Sequence, residues 1–484
     1  MERDKSESAA GAEPLWENLA FEGGGIKGMA YSGAVQVLEE EGIYPGRIRR
    51  VAGASIGSLC ATLVALGYSS RELADLTKST DLAFIMQDAR FGKLGGAVNV
   101  FRHFGMNPGT RLFEFIGRLL EARAGSKDVT FAQLLERTGR ELCVPVTNLT
   151  RMCTEFCHPK TTPNLSVRMA VATSMSLPVL MRPRQRAPGP GAGFGSEDLY
   201  TDGGVLCNYP LQAFDGWWLS MRPEDAFLRR LQPISQIARL ADPTRAFSPR
   251  NPATLGFTTF NGDDRDVTAS WTTPGVSPPP RPKTRLALAR RAIEAALASR
   301  QSQATQLEEA FSRLFAAMLR VERDADGRIS RSECEQLFEV GELSQADAMQ
   351  LFGTTDVHAI LKQLDRDDDG FIDFAELQRF MDAHNVDLTA RMVGRTPTQT
   401  RSVGDFVHNL LSTLRANVQR RDWEGDHHRT VAIDTDYIGT ADFGCVAEDF
   451  DFLVESGARH TRAFLAAARA RARGDAGADP DASR

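Results

Sequence analysis

Two glycine turns, thirty residues apart, constrain this 484-residue chain more than any other feature. The first, Glu22-Gly23-Gly24-Gly25-Ile26-Lys27-Gly28, follows the apolar run Leu15–Phe21. It opens a helical stretch, Gly28 to Glu41, that carries Met29, Val35 and Leu38 and stops at Gly42. The second, Gly53-Ala54-Ser55-Ile56-Gly57, follows the short run Ile48–Ala52 and opens an apolar helix from Ile56 to Leu66, with Gly67 as its stop. Strands alternating with helices in this way imply an α/β protein with a largely parallel sheet covered on both faces. The strand–helix–strand unit brings both turns to the same edge of that sheet. Further strands are expected at Leu142–Leu149, where Pro145 is unfavourable, at Leu199–Thr201 and at Thr430–Asp434.

The turns carry chemistry as well as topology. Gly-x-Ser-x-Gly between a strand and a helix makes a sharp elbow that exposes the Ser55 oxygen beside a helix N-terminus. Backbone N–H groups of a glycine turn at a helix start can converge on an oxyanion. The first turn also fits Gly-x-Gly-x-x-Gly, the dinucleotide fingerprint. That reading needs an acid at the end of the second strand, and Ile48–Ala52 runs into the serine turn instead. A serine nucleophile needs a base. None of the eight histidines (103, 158, 358, 384, 408, 427, 428, 460) lies in an evident catalytic turn, although His103 and His158 remain open. Asp202 ends a strand, and Gly203-Gly204 free the backbone to aim its carboxylate. Desolvation would raise its basicity enough to accept a proton directly. Taken singly, each feature is equally an ordinary helix start or an Asp-Gly-Gly turn.

Gly23-Gly24-Gly25-x-Lys27-Gly28, Gly53-x-Ser55-x-Gly57 and Asp202-Gly203-Gly204 stand in the order found in patatin-like phospholipases, which the chain resembles. Ser174–Pro178, Asn251–Gly256 and Arg429–Thr435 look like segments of the same family, so the resemblance covers roughly residues 15–260 and 400–470. It implies a three-layer α/β/α hydrolase that cleaves glycerolipid acyl esters with a Ser–Asp dyad and no catalytic histidine. Ser55 would be the nucleophile and Asp202 the general base. Gly23, Gly24, Gly25, Ile26, Lys27 and Gly28 would supply the oxyanion hole. Lys27 stands where the family often has arginine.

A different chemistry follows. Asp365-Arg366-Asp367-Asp368-Asp369-Gly370-Phe371-Ile372-Asp373-Phe374-Ala375-Glu376 fits a Ca²⁺-binding EF-hand loop. Asp365, Asp367, Asp369 and Asp373 offer carboxylates, Phe371 a carbonyl, and Glu376 a bidentate carboxylate. Gly370 makes the sharp turn, and helices are expected at Val357–Leu364 and Phe374–Met381. A second loop, Glu322–Glu333, keeps Asp324, Asp326 and Glu333. Glu322 replaces the usual aspartate at its first position, and Arg328, at the carbonyl position, reduces the negative charge. We read it as a structural partner with weakened Ca²⁺ binding. The plain alternative for both is an acidic surface turn.

Between these parts, Arg281 to Arg300 carries Arg281, Lys283, Arg285, Arg290, Arg291 and Arg300 against Glu294, with Leu286, Ala289, Ile293 and Leu297 along one helical face. A basic amphipathic helix of this kind lies on anionic lipid or enters a Ca²⁺ sensor's groove, here an intramolecular contact between the EF-hands and residues 285–300. Its plain alternative is a connecting helix with a solvated basic face.

The expected order is a disordered 1–14, a hydrolase domain over 15–270, a linker and basic helix over 271–304, and an all-α EF-hand pair over 305–390. The hydrolase resumes at 400–470, and 471–484 form a disordered tail. A net charge of −6 argues against nucleic-acid binding, and seven cysteines without a Cys-x-x-Cys pair read as reduced thiols. No secretory leader or membrane span is expected, because glycines and serines interrupt the most apolar stretch, Val51–Tyr68. The expectation is a cytoplasmic protein, peripheral at membranes, with a lipid or membrane-surface substrate. Two rivals stand beside it: a Ca²⁺-dependent adaptor on an inactive hydrolase scaffold, and an esterase in which Asp202 only orients a histidine.

Overall fold

A computed structural model describes residues 15–89, 92–185, 198–237, 242–262, 273, 275–300, 310–311, 313–314, 317–318, 328–339, 343–383, 406, 409–410, 412–414 and 425–473. The chain packs as two units. One comprises Met1–Ala287 together with Thr398–Arg484, and the other is Leu288–Pro397.

The strands of the first unit begin with β1 (Asn18–Phe21), β2 (Arg50–Gly53), β3 (Gly105–Asn107) and β4 (Glu141–Asn148). They continue with β5 (Cys153–Cys157), β6 (Val179–Met181), β7 (Arg184–Gln185), β8 (Leu199–Asp202) and β9 (Thr254–Phe260). The second unit contributes β10 (Ile329–Ser330) and β11 (Phe371–Ile372), and the chain then returns to the first with β12 (Thr430–Asp434). The main sheet has the order β12-β9-β1-β2-β4-β8-β7, with β5 also paired to β4. Its neighbours from β12 to β4 are parallel, and β5, β8 and β7 join antiparallel.

Alternation along the strands sorts the two faces. Leu19, Val51, Leu142 and Leu255 are cross-strand neighbours and fully buried in the main core, with the helices α1 (Tyr31–Glu40) and α2 (Ile56–Ala65). The opposite face carries Ala20, Ala52, Cys143 and Gly256. Small residues are needed there because Tyr209, Leu211 and Phe214 lie directly on it, and a Cβ on Gly256 would meet the Tyr209 hydroxyl at 1.8 Å.

Two elements differ from the sequence expectation. β9, Thr-Leu-Gly-Phe-Thr-Thr-Phe, has no polar alternation because it is buried along its whole length. At the C-terminus helical structure continues past the expected tail boundary at residue 471. A helix runs from Ala447 to Arg473, with Phe464, Leu465 and Ala468 buried. It packs on α1 at backbone contact distance: a Cβ on Gly33 would stand 1.8 Å from the Val454 carbonyl oxygen, and one on Gly457 2.0 Å from that of Ala30.

The expected basic helix forms over Arg285–Arg300, but its apolar stripe is not where the spacing put it. Thr284 Oγ1 accepts the Ala287 N–H at 3.2 Å, which caps the helix and turns Ala287 inward. Ala289 and Ile293 are exposed, while the Leu297 side chain lies outside the described residues. The second unit has its own core around Phe311, Leu314, Ile360, Leu364 and Phe380.

Arg429 leads into β12 with a fully buried guanidinium. It donates to Asp215 at 2.7 and 2.6 Å, to Asp426 at 2.8 Å and to the Asn251 carbonyl at 3.2 Å, and this raises its pKa despite burial. Two of the segments singled out in the sequence therefore meet at one side chain. Removing a partner from such a group strands buried charge, so Arg429→Ala is expected to destabilise the first unit by about 3–5 kcal/mol, measured by chemical denaturation.

Candidate active site

Ser55 joins β2 to α2 with φ 50° and ψ −127°. Such a conformation costs a non-glycine residue about 1–3 kcal/mol and persists only where the surroundings hold it. Here they do. A Cβ on Gly53 would lie 2.1 Å from the Gly57 carbonyl oxygen, and one on Gly57 would lie 2.4 Å from that of Phe21. Strand ends and helix start therefore touch backbone to backbone. The Ser55 N–H donates to Ser174 Oγ at 3.0 Å, and that hydroxyl donates to the Pro145 carbonyl at 2.8 Å. Ser174 belonged to a segment noted only for its resemblance, and its sequence gives no signal that it pins the elbow.

Ser55 Oγ donates to Asp202 Oδ2 at 2.8 Å. The register explains the meeting. Ala52 stands opposite Cys143 on β4, and three residues further along each chain come Ser55 and Val146; Val146 stands opposite Asp202. Asp202 is fully buried, and its Oδ1 accepts the Gly204 N–H at 2.6 Å, which fixes the carboxylate plane. Gly203 serves close approach more than conformational freedom, since a Cβ there would lie 2.1 Å from the Pro145 carbonyl oxygen.

The glycine loop is bracketed by Asn208. Its carbonyl accepts the Gly23 N–H at 2.9 Å, and its Nδ2 donates to the Gly23 carbonyl at 2.8 Å and to Glu22 Oε1 at 3.0 Å. Buried Glu22 also accepts from the Thr259 N–H at 3.1 Å. The Lys27 ammonium turns under the loop to the Thr259 carbonyl at 3.1 Å. The Ile26 N–H donates to the Thr440 carbonyl and the Lys27 N–H to that of Gly24, at 3.2 and 3.3 Å. Of the six loop residues named from sequence, Gly23, Ile26 and Lys27 thus use their N–H groups internally. Gly24 is the N-cap of the 3₁₀ helix Gly25–Ala30 and Gly25 its first residue, positions where N–H groups have no intrahelical acceptor.

The histidines left open lie elsewhere. His158 is fully buried, bonds Glu141 at 3.1 Å and accepts the Lys160 N–H at 3.1 Å. Burial lowers its pKa against the raising effect of Glu141. It follows Cys157, which pairs with Val144, so it sits toward the amino end of β4, roughly 10 Å from the level of Val146. His103 ends the helix Gly92–His103. Ser55 reaches its carboxylate with no imidazole between them.

Gly28 of the loop and Ile56, the residue after Ser55, line a small apolar cleft together with Leu59, Leu63, Leu73 and Phe115. All seven cysteines are free thiols. Among the described residues, no helix is long and apolar enough to cross a membrane.

In the second unit, Asp365, Asp367 and Asp369 each bring an oxygen within 4.8 Å of the others. Gly370, at φ 86°, makes the turn, and its N–H donates to Asp365 Oδ2 at 3.0 Å. Glu376 is buried and accepts the N–H groups of Arg366 at 2.7 Å and Asp373 at 3.1 Å, so the loop's first and last turns are tied together. Asp365 Oδ1 is buried without a hydrogen-bond partner, as suits an oxygen meant for a cation. Ile372 pairs with Ile329 across β10 and β11. In the companion loop Glu322, Asp324 and Asp326 lie outside the described residues. Arg328 stands 3.6 Å from Asp369 Oδ2, while Glu333 accepts from the Ser330 N–H at 2.9 Å.

The profile of the patatin-like phospholipase family matches residues 19–215, and an EF-hand profile matches residues 357–381. The chain thus carries a patatin-like phospholipase domain and an EF-hand motif. Over 204 residues it is 31% identical to the uncharacterized protein R571 of Acanthamoeba polyphaga mimivirus, covering 42% of this chain and 63% of that protein. It is 26% identical over 204 residues to the probable lipid hydrolase 463L of Invertebrate iridescent virus 6, covering 40% and 62%. The chain therefore spans under two thirds of the length of these relatives. VipD from Legionella pneumophila aligns in structure with a TM-score of 0.41 and 15% identity, over 94% of this chain and 68% of that one.

Replacing the carboxylate at the last position of the EF-hand loop should leave that loop folded and weaken its hold on a cation. Glu376→Gln is expected to lower Ca²⁺ affinity about tenfold or more in isothermal titration, whereas Glu333→Gln in the companion loop should change the tight phase little.

Proposed function

We propose that the patatin-like phospholipase domain of this chain hydrolyses glycerolipid acyl esters through Ser55 and Asp202. The observation that carries the reading is the direct 2.8 Å bond from the Ser55 hydroxyl to a buried carboxylate.

The chemistry runs in two halves. Ser55 Oγ forms a bond to the ester carbonyl carbon while its proton passes to Asp202 Oδ2. The carbonyl oxygen becomes an oxyanion facing the N–H groups of Gly24 and Gly25 and the N-terminus of α2. Collapse breaks the bond to the lipid alcohol, which leaves with the proton from Asp202. Water then attacks the acyl-enzyme and gives its proton to Asp202, and the fatty acid departs as Ser55 recovers its hydrogen. Support also comes from the small cleft at Gly28 and Ile56, the residue after Ser55, whose apolar lining suits hydrocarbon.

Ca²⁺ binds, on this reading, at Asp365, Asp367, Asp369, Asp373, Glu376 and the Phe371 carbonyl. A bound ion supplies charge neutralisation that lets these carboxylates converge, and it is a regulator placed within the hydrolase sequence. The adaptor rival is disfavoured because both members of the dyad are present and in contact. The histidine-dependent esterase is disfavoured because that contact is direct.

Ser55→Ala and Asp202→Asn are expected to lower kcat on a short-chain ester by about 10³-fold or more while leaving the circular dichroism spectrum unchanged. His103→Ala should stay within about twofold of wild type. Wild-type turnover by Ser55→Ala would end the assignment. Liposome hydrolysis measured with Ca²⁺ and with chelator tests the regulatory role. Equal rates would leave the EF-hand unit without one.

A further inference from the structure

The glycine loop does not hold its own shape. Gly25 has φ +56°, and its backbone packs so tightly on Thr440 that a Cβ there would stand 2.1 Å from the Thr440 carbonyl oxygen. That same oxygen accepts the Ile26 N–H at 3.2 Å. Thr440 is thus a backstop for Gly25, one of the two residues whose N–H groups are assigned to the oxyanion, and it belongs to a segment the chain reaches only after Leu288–Pro397.

Thr440 follows Tyr437 and Ile438, which are buried in the main core, and a polar clamp holds the residues around it. Asp436, at φ 51°, receives the Arg281 guanidinium as a fork, Nε to Oδ2 at 2.6 Å and Nη2 to Oδ1 at 2.8 Å. The pair is largely buried, at 18% and 10% side-chain exposure, so solvent screens it weakly. The Asp436 carbonyl accepts the Gly262 N–H at 2.9 Å. Next to it, Tyr437 OH and Thr284 Oγ1 both donate to Asp449 Oδ1 at 2.7 Å. Arg281 and Thr284 therefore grip both ends of Asp436–Asp449, and Thr440 lies between them. The gripping residues are also the last ones before the helix that leaves the first unit at Ala287.

We propose that the Arg281–Asp436 ion pair is a positioning contact for the oxyanion loop, acting through Thr440. The inference rests on the hydrolase reading above. It makes Arg281 a positioning residue and not a catalytic one, since it touches neither dyad nor ester. A displaced backstop loosens Gly24 and Gly25, which act on the transition state, and leaves the acyl cleft alone. The loss then falls on kcat.

The test uses the full chain and a soluble short-chain ester. Three variants are compared: Arg281→Ala, Arg281→Lys, and the double exchange Arg281→Asp with Asp436→Arg. The readouts are kcat, KM, the melting temperature, and Ki for a trifluoromethyl ketone whose tetrahedral adduct places an oxyanion in the hole. Arg281→Ala is expected to lower kcat about tenfold and to raise Ki by the same factor, with KM within about twofold. Arg281→Lys keeps the charge but not the fork and should fall between, and the exchange should recover most of kcat and Ki. The proposal is overturned by a folded Arg281→Ala with unchanged kcat and Ki. It is also overturned by losses that follow the melting temperature and are not recovered by the exchange. Should Arg281→Ala fail to fold, Arg281→Lys decides by the same criteria. A wild-type chain without esterase activity would end the hydrolase reading itself, and this inference with it.

Discussion

The site depends on β4 serving two ladders at once. Its first residues pair in parallel with β2, and its last pair antiparallel with β8, so Ser55 and Asp202 are levelled against one rod. A slip of one residue in either ladder would shift one partner by about 3.3 Å and turn Asp202 to the other face of the sheet. Register of this kind is set by burial. Leu142, Val144 and Val146 all face the main core, and no neighbouring register satisfies them together with Leu19 and Val51. The 2.8 Å contact is therefore a long-range product of core packing, although it looks like a property of two short motifs.

Glycine turns were legible because their physics is local. A strand that reverses into a helix at backbone contact distance has no room for a Cβ, and one added to Gly53, Gly57 or Gly203 would stand 2.1 to 2.4 Å from a carbonyl oxygen. Ser55 and Asp202 could be read because each ends a strand beside such a turn. Ser174, Asn208 and Thr440 could not. Each acts on a backbone group more than a hundred residues away, and nothing in a Ser, Asn or Thr marks that partner. The same limit hid β9. A strand buried on both faces has no alternation, and its threonines and glycine answer neighbours the sequence does not place beside it.

The basic stretch shows the converse. Helical spacing alone put Leu286, Ala289, Ile293 and Leu297 on one face, but a connecting helix is oriented by its cap. With Thr284 tied to Asp449 and to the Ala287 N–H, the inward direction is set before the apolar residues are reached. What periodicity reported as an amphipathic face is a helix whose start is fastened and whose Leu288 and Ile293 remain about half exposed.

That fastening bears on how an inserted Ca²⁺ module can matter to the chemistry. A ligand shifts an equilibrium only by the difference in its affinity for the two states, so Ca²⁺ bound at Asp365–Glu376 changes hydrolysis only where the hydrolase presents a second state to bias. The dyad is a poor place to look for one. Its two members are held by a buried sheet, and moving either costs core packing. The glycine loop is different: beside its bonds to Asn208 and Thr259 it is backed at Gly25 by Thr440, in a segment that makes polar contacts to the linker. Polar clamps of this kind are directional and lost over a few tenths of an ångström, whereas apolar packing yields gradually. A regulator acting through the linker would accordingly move the glycine loop and leave Ser55 and Asp202 in contact.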